Sequence, residues 1–77
     1  MKNPNERSIF AQRLRQARIA KGMTQEAMAL ELGLCHPCTF FWEAGRNMPK
    51  AERLPEIARM LGVSLDWLFG MDAEETV

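Results

Sequence analysis

The sequence has no apolar run close to the roughly 18 residues that a membrane-spanning helix needs, so we expect no membrane span. Residues 1–7 also lack the apolar core of a signal peptide, and we expect a cytoplasmic protein. Cysteine is scarce, because Cys35 and Cys38 are the only two. Two thiols three residues apart cannot join distant parts of a fold, so folding must depend on packing.

The chain has 77 residues, which is enough for one small domain and too few for two. A domain of this size has no room for a deep cleft beside a separate substrate domain, and we expect no enzyme. Apolar residues make up 47% of the chain and charged residues 26%, which is ordinary globular composition and excludes a wholly disordered protein.

An excess of charge of either sign is also missing, since ten basic residues balance ten acidic ones. The two signs are nevertheless separated along the chain. Residues 1–25 hold six basic residues and one acidic residue, whereas residues 54–77 hold one basic residue and five acidic ones. This separation is compatible with a basic face that meets phosphate, although a solvated surface of mixed charge remains the plain alternative.

The sequence has no pattern typical of strands, and residues that start and end helices recur along it instead. There is no alternating β-branched run, and the chain has only two valines, Val63 and Val77. Apolar residues recur at helical spacing between glycines, with Thr24 and Ser64 as N-caps. The fold class predicted is all-α, a compact five-helix bundle. Its helices are expected from Asn3 or Pro4 to Lys21, from Thr24 to Leu32, from Cys35 or His36 to Glu43 or Ala44, from Glu52 or Arg53 to Leu61, and from Ser64 to Phe69.

The second and third helices carry the pattern of a helix-turn-helix. Such a motif needs a small residue where the second helix crosses the first, and Ala29 meets that need. It needs a glycine at a turn of positive φ, and Gly33 follows four residues later. Leu34 and Trp42 supply apolar anchors after the turn.

Taken together, residues 8–70 resemble the DNA-binding domains of lambda-type phage repressors and Cro, within the wider Xre family of regulators. The resemblance implies five helices, two-fold dimers on DNA and a third helix in the major groove. The matching segments are Arg13-Leu14-Arg15 with Arg18, Lys21-Gly22-Met23-Thr24-Gln25-Glu26, Ala29 with Leu32-Gly33-Leu34, Trp42-Glu43-Ala44-Gly45-Arg46 with Pro49, and Leu61-Gly62-Val63-Ser64-Leu65-Asp66-Trp67-Leu68.

The resemblance also assigns roles to residues of this chain. Gln25 would bind a phosphate at the start of the second helix, and Arg18 would form a partly buried ion pair with Glu43. Further DNA contacts would come from the loop after the third helix, from the first helix and from the third helix itself. The DNA-binding residues expected are Gln25, Cys35, His36, Pro37, Phe40, Phe41, Arg46, Asn47, Lys50 and Arg15. The dimer contact expected comprises Val63, Leu65 and Leu68.

The third helix departs from the family pattern. Its relatives carry polar side chains that hydrogen-bond to base edges, whereas this helix has two adjacent aromatic residues, Phe40 and Phe41. Thr39 occupies a position where the family usually places Val or Ile in the core. Three interpretations remain open: the rings contact thymine methyl groups while His36 meets a base or phosphate, they form a protein-binding patch, or one ring fills the core beside Thr39.

Cys35-His36-Pro37-Cys38 is similar to the redox motif of thioredoxin-like proteins, but those have strands that this sequence lacks. A structural zinc site requires four ligands, and the chain has only one histidine and two cysteines. Zinc would therefore need ligands from a second chain. Ordinary reduced thiols are the expectation in the cytoplasm. A disulfide across one helical turn that changes DNA affinity is the remaining hypothesis.

We therefore predict a helix-turn-helix DNA-binding domain over residues 1–70 and an acidic tail over residues 71–77. The function expected is a sequence-specific transcriptional regulator, a phage- or plasmid-type repressor that binds a palindromic operator as a homodimer that is weak without DNA. The alternative is a protein-interaction module, antitoxin-like or regulatory, that contacts its partner through Phe40 and Phe41. No cofactor and no metal are expected, and no catalytic group can be built around His36.

Overall fold

The computed structural model describes residues 5–71, and the side chains of residues 5–8 and of His36 lie outside that description. Five α-helices follow one another, with a 3₁₀ turn at Ala51–Arg53. Within residues 5–71 the backbone forms no strand. No helix in this range is long and apolar enough to cross a bilayer. The helices are α1 (Asn5–Ala20), α2 (Gln25–Glu31), α3 (His36–Glu43), α4 (Leu54–Leu61) and α5 (Leu65–Leu68).

The all-α prediction with five helices is confirmed, and the helix ends lie close to the predicted ones. The N-caps behave as expected: Thr24 Oγ1 accepts from the Ala27 N–H at 2.9 Å, and Ser64 Oγ accepts from the Trp67 N–H at 3.0 Å. The predicted start of α1 at Asn3 or Pro4 and the predicted tail beyond Met71 lie outside the described residues.

The start of α4 was predicted one or two residues too early. α4 begins at Leu54 rather than at Glu52 or Arg53, because the preceding three residues form the 3₁₀ turn. Pro55 still lies in the first turn of α4, where its missing N–H leaves no hydrogen bond unmade.

The turn between α2 and α3 fixes how the two helices cross. Gly33 has a φ of +72°, which side-chain-bearing residues rarely adopt. Its N–H donates to the Leu30 carbonyl at 3.0 Å, and the Leu34 N–H donates to the Ala29 carbonyl at 2.8 Å. This pair of bonds closes the end of α2 as a Schellman motif. Ala29 is 1% exposed, as its predicted place at the crossing requires.

All five helices contribute to one apolar core. It consists of Phe10, Leu14, Ala17, Met28, Leu32, Trp42, Ile57, Leu61 and Leu68. The C-terminal helix α5 is held against α1 by several contacts. The Phe10 and Phe69 rings stack with centroids 5.1 Å apart, and Arg13 Nη1 donates to the Trp67 carbonyl at 2.6 Å. Gly70, just after α5, packs closely against Ile9 of α1, because a Cβ at this position would lie 2.8 Å from Ile9 Cγ2.

Thr39 is the weak point of this core. Its side chain is fully buried, as the resemblance implied for this position. Its hydroxyl oxygen has no hydrogen-bond partner among the described residues. Burying a hydroxyl without a hydrogen-bond partner lowers the stability of the fold, because the desolvation free energy is not offset by a new hydrogen bond. Trp42, which is 6% exposed, is the residue of α3 that belongs to the apolar core itself.

We expect Thr39→Val to raise the free energy of unfolding by about 1 kcal/mol, because it keeps the side-chain shape and removes the unpaired hydroxyl. Urea unfolding followed by tryptophan fluorescence measures the change. Thr39→Ser is the matched control: it keeps the hydroxyl, deletes the methyl group and should lower stability by about 1 kcal/mol. A Val variant less stable than the wild type would contradict an unpaired hydroxyl.

Candidate nucleic-acid interface

A buried ion pair joins α1 to α3. Arg18 Nε donates to Glu43 Oε2 at 2.6 Å, and Arg18 Nη2 donates to Glu43 Oε1 at 3.1 Å. The two side chains are 10% and 4% exposed. Two parallel charge-assisted hydrogen bonds fix direction as well as distance. The pair that the resemblance implied is therefore present, in a bidentate form that sets the orientation of α3 against α1.

The same ion pair also holds the start of α2. Arg18 Nη1 donates to the Met23 carbonyl at 2.7 Å, and Gln25 Nε2 donates to Glu43 Oε1 at 3.0 Å. Because an amide NH₂ has two donors, Gln25 keeps a second N–H for another acceptor. One network therefore links the end of α1, the following turn, the start of α2 and the end of α3.

The rotation of α3 about its own axis decides which of its residues face outward. Thr39 and Trp42 face the core, and the Glu43 carboxylate points inward to Arg18. The opposite side of the helix presents Pro37 and Phe40. Phe40 is 48% exposed.

Phe41 and Ala44 complete this outward side. Phe41 is half-buried, and Ala44 is the exposed C-cap of the helix. We call Pro37, Phe40, Phe41 and Ala44 the apolar face. Sequence reasoning missed Ala44, although a step of four residues from Phe40 places it on the same side of the helix.

The two phenylalanine rings of the apolar face pack against each other. Their centroids are 5.6 Å apart in an edge-to-face arrangement, a geometry that aromatic pairs favour. The Arg46 guanidinium lies 5.9 Å from the centroid of the Phe41 ring. The interpretation in which one ring fills core space is wrong, because Thr39 itself occupies that space and neither ring belongs to the core.

Basic side chains lie on both sides of the apolar face. On one side, Arg15 and Gln25 line a hollow of about 300 Å³ together with Phe40. On the other side, Lys50 lines a hollow of about 250 Å³ together with Cys38.

The loop after α3 is tied to the helix end. The Arg46 N–H donates to the Phe41 carbonyl at 3.0 Å, and the side chains of Arg46 and the adjacent Asn47 are exposed. The predicted phosphate-binding residues of α1, α2 and this loop therefore surround α3.

The Cys35-to-Cys38 segment forms the first turn of α3. Cys35 is the N-cap and is exposed, Cys38 is half-buried against the core, and both thiols are free. The predicted contact of His36 with DNA lies outside the described side chains. Among the described residues, no group of three or more His, Cys, Asp or Glu side chains could hold a metal ion. The redox hypothesis stays a prediction.

The predicted dimer contact needs one correction. Val63 and Leu65 are half-buried at the surface, but Leu68 is 0% exposed and belongs to the chain's own core. Leu68 faces α1 and α4 because α5 is one turn long and must bury one side to be held at all. It therefore offers no surface to a partner, and Val63 and Leu65 are the residues left for such a contact.

Comparison with known proteins gives a family match over most of the chain. Residues 9–68 match the family described as a helix-turn-helix domain. The chain is similar to the uncharacterized HTH-type transcriptional regulator YqaE of Bacillus subtilis (strain 168), with 35% identity covering 90% of this chain and 60% of YqaE. No solved structure matches the chain significantly.

Two further relatives carry more informative names. One is the SPbeta prophage-derived uncharacterized HTH-type transcriptional regulator YonR of Bacillus subtilis (strain 168), 35% identical over 78% of this chain and 56% of YonR. The other is the HTH-type transcriptional activator BcrR of Enterococcus faecalis, 32% identical over 88% of this chain and 32% of BcrR. The chain thus spans less than two thirds of the length of each of the three.

We expect a double-mutant cycle on Arg18→Met and Glu43→Gln to show strong coupling. Each single change leaves a buried charge without its partner and should cost about 3–5 kcal/mol of unfolding free energy. Chemical unfolding of the wild type, the two single variants and the double variant measures the coupling free energy. Arg53 and Glu56, an exposed pair at 3.4 Å, provide the matched control and should couple by less than about 1 kcal/mol. Equal coupling in both cycles would refute the buried pair as the fixed joint of α3.

Proposed function

The chain belongs to the helix-turn-helix domain family, and from that membership we propose that it is a sequence-specific DNA-binding transcriptional regulator. One observation carries the proposal: cationic and amide side chains lie on both sides of the exposed face of α3, the second helix of the motif. In proteins of this class that helix enters the major groove while the flanking elements meet the two phosphate backbones.

The phosphate contacts proposed come from three elements next to α3: α1, α2 and the loop after α3. Gln25 presents its second amide N–H at the start of α2, and Arg15 lies beside it on α1. Arg46 and Asn47 lie in the loop after α3, and Lys50 follows them. Such contacts supply affinity and register but no sequence information. Selectivity must then come from α3 itself.

We further propose repression of the phage or plasmid type, through a homodimer on a palindromic operator. The resemblance to lambda-type repressors supports this, as does the prophage-derived name of YonR. BcrR, by contrast, is named an activator. A promoter–reporter assay with selected binding sites distinguishes the two directions, because a repressor lowers expression when its site overlaps the promoter.

A protein-interaction module is the second candidate. The observation in its favour is the exposure of Phe40, since adjacent exposed apolar side chains often mark a protein contact. A gel shift against a random pool of duplexes separates the two functions. An interaction module of this kind would leave the pool unshifted at micromolar protein.

We expect DNA affinity to fall steeply with salt, because each phosphate neutralised adds about −0.9 to the slope of log K against log salt. Arg46→Ala should weaken binding to all duplexes alike and flatten the slope by about 0.9. Fluorescence anisotropy across a salt series measures both. Arg59→Ala removes the same charge from α4, which contributes none of the proposed contacts, and should leave the slope unchanged. A salt-independent affinity would rule out DNA binding of this kind.

We expect the free protein to be mainly monomeric at micromolar concentration. Val63 and Leu65 form a small patch that would bury less than a standard interface of about 1,600 Å². Val63→Glu should weaken binding to a palindromic site more than binding to a half-site, whereas Leu30→Glu, which adds the same charge at an exposed position of α2, should affect each bound copy equally on both duplexes. Sedimentation of the free protein and titration of both duplexes provide the measurements. A tight dimer without DNA that Phe40→Ser dissociates would favour the interaction module instead.

A further inference from the structure

We propose that the apolar face of α3 recognises DNA through the C5-methyl groups of pyrimidines in the major groove, above all thymine, and not through hydrogen bonds to base edges. The inference rests on the proposed DNA-binding function and names the chemical group that the helix would read. It starts from the four residues of the apolar face, which are the described side chains that α3 turns outward.

The apolar face has nothing with which to hydrogen-bond a base. Pro37, Phe40, Phe41 and Ala44 carry no polar side-chain atom, and the Glu43 carboxylate is turned inward to Arg18 and Gln25. Cys35, at the N-cap, adds only a thiol, which is a weak donor. If such a surface covered the donors and acceptors of a base edge, these groups would lose their water without gaining a hydrogen bond. That loss costs binding free energy.

The major groove offers one apolar group that distinguishes a base, the methyl group of thymine. Aromatic rings and the alanine methyl group make favourable contacts with it, because both sides lose apolar surface to water. A run of thymine methyl groups along the groove is therefore the major-groove surface that best complements the apolar face.

The two rings are held in place before any DNA arrives. Phe40 and Phe41 pack edge to face at 5.6 Å, and Arg46 lies over Phe41. A ring has few rotatable bonds, so little conformational entropy is lost when such a pair is buried. The more exposed ring, Phe40, is the first to reach a methyl group, and Phe41 follows beside it.

The charges around the apolar face favour DNA over a protein as its partner. Arg15 lies on the Phe40 side of α3, and Lys50 lies on the Cys38 side. An apolar strip with a cation on each side matches a groove with its bases in the centre and a phosphate backbone on each side. A protein partner would have to present two acidic ridges at the same separation.

The test first needs a binding site, which selection from a random duplex pool by the wild-type protein provides. The selected duplex is then made again with uracil in place of thymine, which removes the methyl group and keeps the hydrogen-bonding pattern. We expect affinity to fall about fourfold for each methyl group contacted, from the free energy of burying one such group.

A second pair of duplexes adds the methyl group where it is normally missing. One thymine–adenine pair at a contact position is replaced by cytosine–guanine or by 5-methylcytosine–guanine. We expect methylation of that cytosine to raise affinity by about the same fourfold, because the helix responds to the methyl group and not to the pattern of donors and acceptors.

Two variants serve as controls for the shape and stiffness of the modified duplexes. Phe40→Asn should lose the thymine-over-uracil preference at the position that Phe40 contacts, so that its total methyl dependence is smaller than that of the wild type, and it should keep the wild-type salt dependence, since the phosphate contacts remain. Leu30→Ser removes an apolar side chain that is 72% exposed on α2, and it should keep the full methyl dependence. Thermal unfolding checks that both variants remain folded.

The outcomes separate this inference from the proposed function. Methyl dependence in the wild type and Leu30→Ser, with a smaller dependence in Phe40→Asn, supports methyl recognition. Salt-dependent binding with equal affinity for thymine and uracil duplexes overturns methyl recognition and leaves the regulator proposal intact. Failure to bind any duplex overturns both, and it would assign the apolar face to a protein partner.

Discussion

The bidentate pair between Arg18 and Glu43 is the constraint on which the rest of the molecule depends. Removing both charges from water is expensive, and a buried pair of this kind gives little net stability. What it does give is geometry: two hydrogen bonds of defined direction hold α3 at one rotation against α1. Met23 and Gln25 extend the same network to the start of α2, so the helix-turn-helix is fixed as one body.

That rotation determines the chemistry of the outward surface. With Glu43 directed inward and Thr39 and Trp42 in the core, α3 presents only apolar side chains at its centre. The charged side chains near this surface belong to the neighbouring elements, where Arg15, Arg46 and Lys50 are exposed. In the proposed complex with DNA, affinity would come from the edges of this surface and selectivity from the helix.

The cost of this arrangement appears at Thr39. A residue of nearly the shape of Val occupies the core, but its hydroxyl finds no partner among the described residues. The aromatic rings do not compensate, because they lie on the other side of the helix and pack against each other. The ion pair and Trp42 therefore hold α3 without such a cost, because their polar and apolar groups are both matched.

The sequence by itself determined the five helices, the Thr24 and Ser64 caps and the turn at Gly33, because these features depend on neighbouring residues and on helical spacing. It also indicated the helix-turn-helix, whose pattern is local. Tertiary structure alone decided that Phe40 faces out, that Leu68 is buried, and that Gln25 bonds to Glu43. Those outcomes depend on contacts between residues far apart in the chain, and local periodicity leaves the rotation of a short helix with apolar residues on several sides undetermined.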